Sequence, residues 1–287
     1  MGDEMKRLKA QGPRPKGQGV RWLIAAVVIA ILGFGIWVLG FAFPKEDEVW
    51  KRIQAREVFT VATDASYPPF SAVDANGDLF GFDIDLAEAI GRQGGVRVEF
   101  ENIAYDALLD TLISDRDDAV ISAFVPQPER TKQISFSRSY FVGGTVAVIK
   151  LEPGTYLSGD SLVWASGKTL AVEYGAGGDA LARQWKQRTT GITILPKPTA
   201  DEALLAVEND EAQAALVDAI SAYSFLRDRP ALTLAGPPLE PEPYAIAVSA
   251  RSRTLHQQVE QALAALEADG TLAELKVKWF GEMASGK

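Results

Sequence analysis

Cysteine is absent from all 287 residues, and histidine occurs once, at position 256. Without thiols the chain builds no cysteine nucleophile, no iron–sulfur cluster and no cysteine-ligated zinc, and carries no lipid on an N-terminal cysteine. With one imidazole it builds no H-E-x-x-H metalloprotease, and a Ser–His–Asp triad would have to run through His256. That residue lies in 254–268, a stretch of helical apolar spacing, and reads as a solvated surface side chain. Neither a G-x-x-x-x-G-K-[ST] loop nor a G-x-G-x-x-G turn after a strand occurs, so both nucleotide signatures are missing. Spacing alone supplies no catalytic constellation, and no cofactor or metal is expected.

Positive charge is also in short supply, with 29 basic against 38 acidic residues and a net charge of -9. Six of the basic residues fall before Trp22, where only Asp3 and Glu4 oppose them. The remaining chain is therefore strongly acidic and lacks the basic face that nucleic acid needs. No nucleic-acid partner is expected. The length suits about two domains with cores large enough to need no covalent staple.

Between Trp22 and Phe43 there is no charge at all for 22 residues. As a helix this run would rise about 33 Å, enough to cross the hydrocarbon core. It reads as an uncleaved transmembrane anchor. The competing reading is a signal peptide cut after the small-x-small triplet Gly40-Phe41-Ala42, although signal cores usually span only about 7–15 residues. In both cases residues 1–21 form a basic cytoplasmic tail, residues 44–56 a linker or leading helix, and the rest is extracytoplasmic. The expected location is the cell membrane, single-pass, or the periplasm or medium after cleavage.

From Glu57 short apolar runs alternate with amphipathic segments. Strands are expected at Val58–Thr63, Arg97–Asn102, 119–122, 145–149, 170–174, 214–217 and 244–248. Helices are expected at 83–93, 105–114, 178–188, 199–208, 218–227, 254–268 and 272–279. Thr199 with Glu202 makes a capping box, Gly94 can stop a helix, and Pro128 suits a first helical turn. Asn76-Gly77 between two short strands signals a hairpin with positive φ at both turn positions. Strands alternating with helices imply α/β layers. Gly175-Ala176-Gly177-Gly178, between a strand and a helix, is either a flexible connection or a loop whose N–H groups welcome an anion.

The ordered motifs give a further lead. They are Ala62-Thr63-Asp64-Ala65-Ser66-Tyr67-Pro68-Pro69-Phe70, Gly81-Phe82-Asp83-Ile84-Asp85-Leu86, Pro128-Glu129-Arg130, Phe136-Ser137, Ser139-Tyr140, Val217-Asp218, Asp269-Gly270-Thr271 and Lys278-Trp279-Phe280-Gly281. In this order and spacing the chain, from about Glu57 to Phe280, resembles the extracytoplasmic solute-binding proteins of ABC importers, in the family that binds polar amino acids (family 3). The resemblance implies a two-lobed α/β fold of the periplasmic-binding-protein type II. Lobe one would take residues 57–144 and 246–287, lobe two 146–245, with hinge crossings near 145–149 and 244–248. The ligand would be an amino acid or similar zwitterion trapped as the lobes close, and the partner an ABC permease in the membrane.

The same resemblance assigns site residues. Arg130 would hold the ligand carboxylate with two parallel hydrogen bonds, though alone it would read as a solvated helix-start residue. Asp218 would receive the ammonium, or else cap the following helix. Tyr67 and Tyr105 would flank the ligand side chain. Asp64 matches a position that meets a basic side chain in some relatives and not in others. Ser122, Ala123 and Val125 would border the carboxylate, with Ala176, Gly177 and Gly178 facing from lobe two. Family hydroxyl donors are missing at Val125, Gln127 and Ala176, so the N–H groups of Val125, Gly177 and Gly178 would have to serve. A cyclohexadienyl dehydratase, an enzyme resembling the same fold, would use an acid at Asp179. The binding protein is the expectation, and no enzyme activity.

Overall fold

The computed structural model describes residues 48–130, 132–151 and 161–285. The basic tail and the apolar run at 22–43 lie outside these residues. Among the described residues no helix is long and apolar enough to cross a membrane.

The leading segment is helical: α1 (Glu48–Arg56) buries Trp50 and Ile53, while Arg52 and Arg56 reach the buried Asp118. Strand β1 (Val58–Thr63) follows as an almost continuously buried run, as a strand covered on both faces must be. Next come three short strands, β2 (Ser66–Tyr67), β3 (Ser71–Val73) and β4 (Leu79–Phe80), which form a sheet of their own. The β3–β4 hairpin is a five-residue loop, not a two-residue turn. Asp74 organises it by accepting the N–H groups of Asn76 and Asp78, so only Gly77 needs positive φ.

The elements of the main sheet follow in order: α2 (Phe82–Gly94), β5 (Arg97–Asn102), α3 (Leu108–Ile113), β6 (Ala119–Val120), β7 (Ile134–Lys150), α4 (Ser161–Ala165), β8 (Thr169–Glu173), α5 (Gly177–Arg188), β9 (Thr193–Lys197), α6 (Ala200–Glu208), β10 (Ala214–Asp218), α7 (Ala219–Leu226), β11 (Leu232–Leu234), β12 (Glu240–Ser249), α8 (Arg253–Ala268) and α9 (Thr271–Phe280). The strand order is β5-β1-β6-β12-β7-β10-β8-β9, with β11 beside β7. Two parallel groups, β5-β1-β6 and β10-β8-β9, are joined through the antiparallel pair β7 and β12. The Thr199 cap forms, its hydroxyl accepting from Glu202 N–H. Helix α2 is closed by Gly95 at φ 68, one residue beyond the glycine expected.

Each parallel group is packed on both faces. Leu86 and Ile90 of α2 and Val259 and Leu263 of α8 cover Phe59, Val61 and Ile121. Leu108, Leu109 and Leu112 of α3 cover Ala62 and Val120 from the other side. In the second half, Val146 and Val148 face the core of α6 and α7. Ala147 and Ile149 face Leu181 and Trp185 of α5, as strand alternation requires.

The two halves meet on a narrow ribbon. β7 and β12 pair from Ile134↔Ser249 to Thr145↔Glu240. β7 then passes onto β10 at Thr145–Val148, and β12 onto β6 at Ala247–Val248. The ribbon is thus 141–145 against 240–244, meeting each stretch expected to cross at its first residue, Thr145 or Tyr244. Apolar pattern picked out the buried ends, because the ribbon itself holds Gly143, Gly144, Pro241 and Pro243, which break a strand pattern. Gly144 is required there: φ is 96, and a Cβ would sit 1.9 Å from Glu240 O.

Candidate functional site

A cavity of about 320 Å³ opens at the carboxyl ends of β1, β5 and β6, against the ribbon strand β12. Crevices at strand carboxyl ends are where open α/β sheets bind ligands. Its walls are Asp64, Ser66, Tyr67, Tyr105, Ser122, Ala123, Val125, Glu242 and Tyr244. Tyr67 and Tyr105 are 44% and 40% exposed, so both rings are available to a ligand. Tyr67 stacks on Phe70 at 5.4 Å, and Tyr105 on Phe124 at 5.2 Å, which fixes each ring from behind.

Several polar groups at this cavity are already engaged. The Asp64 carboxylate accepts Ser66 N–H at 3.0 Å and Tyr105 N–H at 2.8 Å. It therefore ties the loop after β1 to the 3₁₀ turn Tyr105–Ala107. Ser122 lies just past β6, which is shorter than expected, and its hydroxyl oxygen accepts Asp64 N–H. That arrangement leaves its proton free to donate. Burial raises the Tyr105 hydroxyl, with the Val125 N–H opposing that rise. Ala123 sits at φ 44, and its N–H donates to Asp83 at 2.7 Å and to the Tyr140 hydroxyl oxygen at 3.0 Å. One group expected to border a ligand carboxylate, the Ala123 N–H, is thus taken by the protein itself.

Asp83 and Tyr140 lie fully buried under the cavity floor, with the Tyr140 hydroxyl donating to Asp83 at 2.9 Å. Burial pushes the Asp83 carboxyl up to about 7 from its ordinary 3.8, against the pull of those two hydrogen bonds. The folded protein then holds a proton that the unfolded chain loses first. Stability from this group is complete below the unfolded value and is lost as pH rises through the folded one. Wild type minus Asp83→Asn stability is expected to fall between about pH 4 and pH 7 and to stay flat above. Urea midpoints across that range measure it; a constant difference would place the proton elsewhere.

Residues around the start of α5 and the end of β10 form a second cluster. Asp218 ends β10 and caps α7, accepting Ser221 N–H at 2.8 Å; burial raises the Tyr67 and Tyr244 hydroxyls, and the Asp218 charge adds to that rise. The capping reading of Asp218 is the one its hydrogen bond shows. Ala176 is the N-cap of α5, Gly177 lies beside Thr145 Oγ1, and Gly178 lies against Leu216 O. Thr145 pairs with Asp218 across β7–β10, which brings Gly177, Thr145 and Asp218 to one edge. Asp179, the acid an enzyme would need, is buried, accepts Gly175 N–H at 3.0 Å and ion-pairs with Arg183 at 2.8 Å.

Arg130 ends the 3₁₀ turn Pro128–Arg130, is half-buried, and makes no side-chain hydrogen bond or ion pair among the described residues. Asp64, Tyr67, Tyr105, Ser122, Ala123 and Val125 share the cavity, whereas Arg130, Asp218 and the glycine loop do not line it. Sequence reasoning missed Ser66, Glu242 and Tyr244. A signal existed for the last two, since residues two apart on an extended strand share a face. His256 is not solvated as expected: its Nε2 lies 3.0 Å from Phe136 O, tying α8 to β7.

A family model for bacterial extracellular solute-binding proteins, family 3, matches residues 59–282. The chain belongs to that family. This solute-binding protein is 29% identical over 231 residues to an ABC transporter arginine-binding protein 1 of Escherichia coli (strain K12), covering 79% of this chain and 92% of the relative. It is 28% identical over 265 residues to the L-cystine-binding protein TcyJ of the same organism, covering 92% and 96%. Among solved structures, the L-cystine solute receptor of Neisseria gonorrhoeae, unliganded and open, is similar at a TM-score of 0.71 and 25% identity, covering 82% of this chain and 97% of the receptor. The family 3 protein thus has the two-lobed α/β architecture the motifs implied, and its named relatives are transport binding proteins.

Proposed function

We propose that this protein captures an amino acid between two closing lobes and delivers it to an ABC permease in the same membrane. The observation that carries the reading is the cavity at the strand ends, walled by two exposed tyrosines. Asp218 and the start of α5 form a second edge across the ribbon. The arginine- and L-cystine-binding relatives support an amino-acid ligand and an importer as partner.

Lobe one takes about 57–144 and 246–287, lobe two 146–245, and the 141–145/240–244 ribbon is the hinge. Arg130 and Asp218 stand outside the cavity wall and are brought to the ligand as the lobes close. On closure Arg130 takes the carboxylate and Asp218 the ammonium, joined by the Ser122 hydroxyl and the N–H groups at the start of α5. Ligand binding thereby favours the closed state. Residues 22–43 tether the protein, with residues 1–21 in the cytoplasm. The commitment of Asp179 to Gly175 and Arg183 supports a binder, not a dehydratase. Calorimetry of the full-length chain against the twenty amino acids tests the reading. Silence across that panel from folded protein would sink it.

A further inference from the structure

The site holds a carboxylate that an amino acid with a neutral side chain leaves unpaired. An α-carboxylate on Arg130 and an ammonium on Asp218 would satisfy both ends of a zwitterion. Asp64 is held by the N–H groups of Ser66 and Tyr105, Asp83 by Ala123 and Tyr140. Glu242 differs from them. It lines the cavity and makes no hydrogen bond or ion pair among the described residues.

We infer that Glu242 reads the ligand side chain, and that the side chain it takes is a cation, a guanidinium or an ammonium. The inference rests on the amino-acid-binding role proposed above and names the ligand class of that same site. Position supports it first. Glu242 pairs with Gly143 across the ribbon, where the side chain nearest the glycine is Tyr244 of the cavity wall itself. Together with Tyr244 it faces the cavity from one side of β12, and its charge acts on Tyr67, Tyr105 and Tyr244 alike. Surroundings support it next, because no basic side chain lines this cavity. The exposed faces of Tyr67 and Tyr105 suit a cation, which aromatic faces attract.

Closure turns the arrangement into selectivity. As described, Glu242 is exposed, so its charge is solvated. Closing the lobes over a neutral side chain would strip water from an unpaired carboxylate, which is costly. Closing over a guanidinium or ammonium pairs it instead. Discrimination thus comes as much from rejecting neutral ligands as from attracting cations. Glu242 would read this charge in place of Asp64, whose oxygens already hold the loop.

The test titrates the full-length chain calorimetrically with two matched pairs, L-arginine against L-citrulline and L-lysine against L-norleucine. Wild type should prefer the cation of at least one pair by about 30-fold or more. In Glu242→Gln that preference should shrink to about threefold, through weaker cation binding with the neutral partner unchanged or tighter. An unchanged preference in Glu242→Gln, or wild type favouring a neutral amino acid, would overturn the inference and leave the amino-acid role intact. Absence of binding by every amino acid would instead remove the proposed function itself. Glu242→Asp, which keeps the charge on a shorter stem, should retain more of the preference than Glu242→Gln; equal loss in both would also count against charge reading.

Discussion

Arg130→Ala is expected to weaken ligand binding by about 100-fold or more, with the melting temperature changed by no more than about 2 °C. The two halves of this expectation have separate grounds. On the binding side, a planar guanidinium grips a carboxylate through two parallel charge-assisted hydrogen bonds. Truncating one member of such a pair leaves the other desolvated in the closed cleft. On the stability side, Arg130 makes no side-chain hydrogen bond or ion pair among the described residues, so alanine deletes no such contact. Arg130→Lys separates charge from shape. A point charge without the fork should recover only part of the affinity. Calorimetry and thermal denaturation on the same preparations measure both halves. An alanine variant binding within threefold of wild type would mean that the carboxylate is read by Ser122 and the start of α5 alone. Loss of fold would mean that Arg130 has a structural role.

How far the sequence went depended on what physical signal each residue leaves. β1 and β5 were readable to the residue because buried strands are dense apolar or alternating runs bounded by polar turns. The front half of β12 was not, because Glu-Pro-Glu-Pro contradicts every strand preference. It is nonetheless held in register by β7. That omission hid Glu242, since the expected strand began only at Tyr244. The helix expected at 105–114 is a 3₁₀ turn running into α3, and Asp64 pins that turn by a hydrogen bond spanning 41 positions. No local pattern encodes such a contact. Tyr67, Tyr105 and Ser122 were placed through motif order, yet the commitment of the Ala123 N–H was invisible. It arises from Asp83 and Tyr140 approaching from elsewhere in the chain.

Gly178→Ala is the stability counterpart, expected to cost about 2–3 kcal/mol through overpacking and to lower the melting temperature by roughly 5–10 °C. The reason is a close approach that no side chain can relieve. A Cβ on Gly178 would lie 2.0 Å from Leu216 O and 2.6 Å from Leu216 C. Both are backbone atoms of β10, a central strand paired on both sides. α5 would therefore have to move, lifting Leu181 and Trp185 from the core they share with Leu216 and Val172. Its first turn would shift away from Asp218 and Thr145, so ligand affinity should fall together with stability. Gly177→Ala is the control. Its Cβ would meet only Thr145 Oγ1 at 3.2 Å, so stability should change by less than about 1 kcal/mol. If alanine were tolerated equally at both positions, α5 would not be seated on β10 at this distance, and the second edge of the site would have to be redrawn.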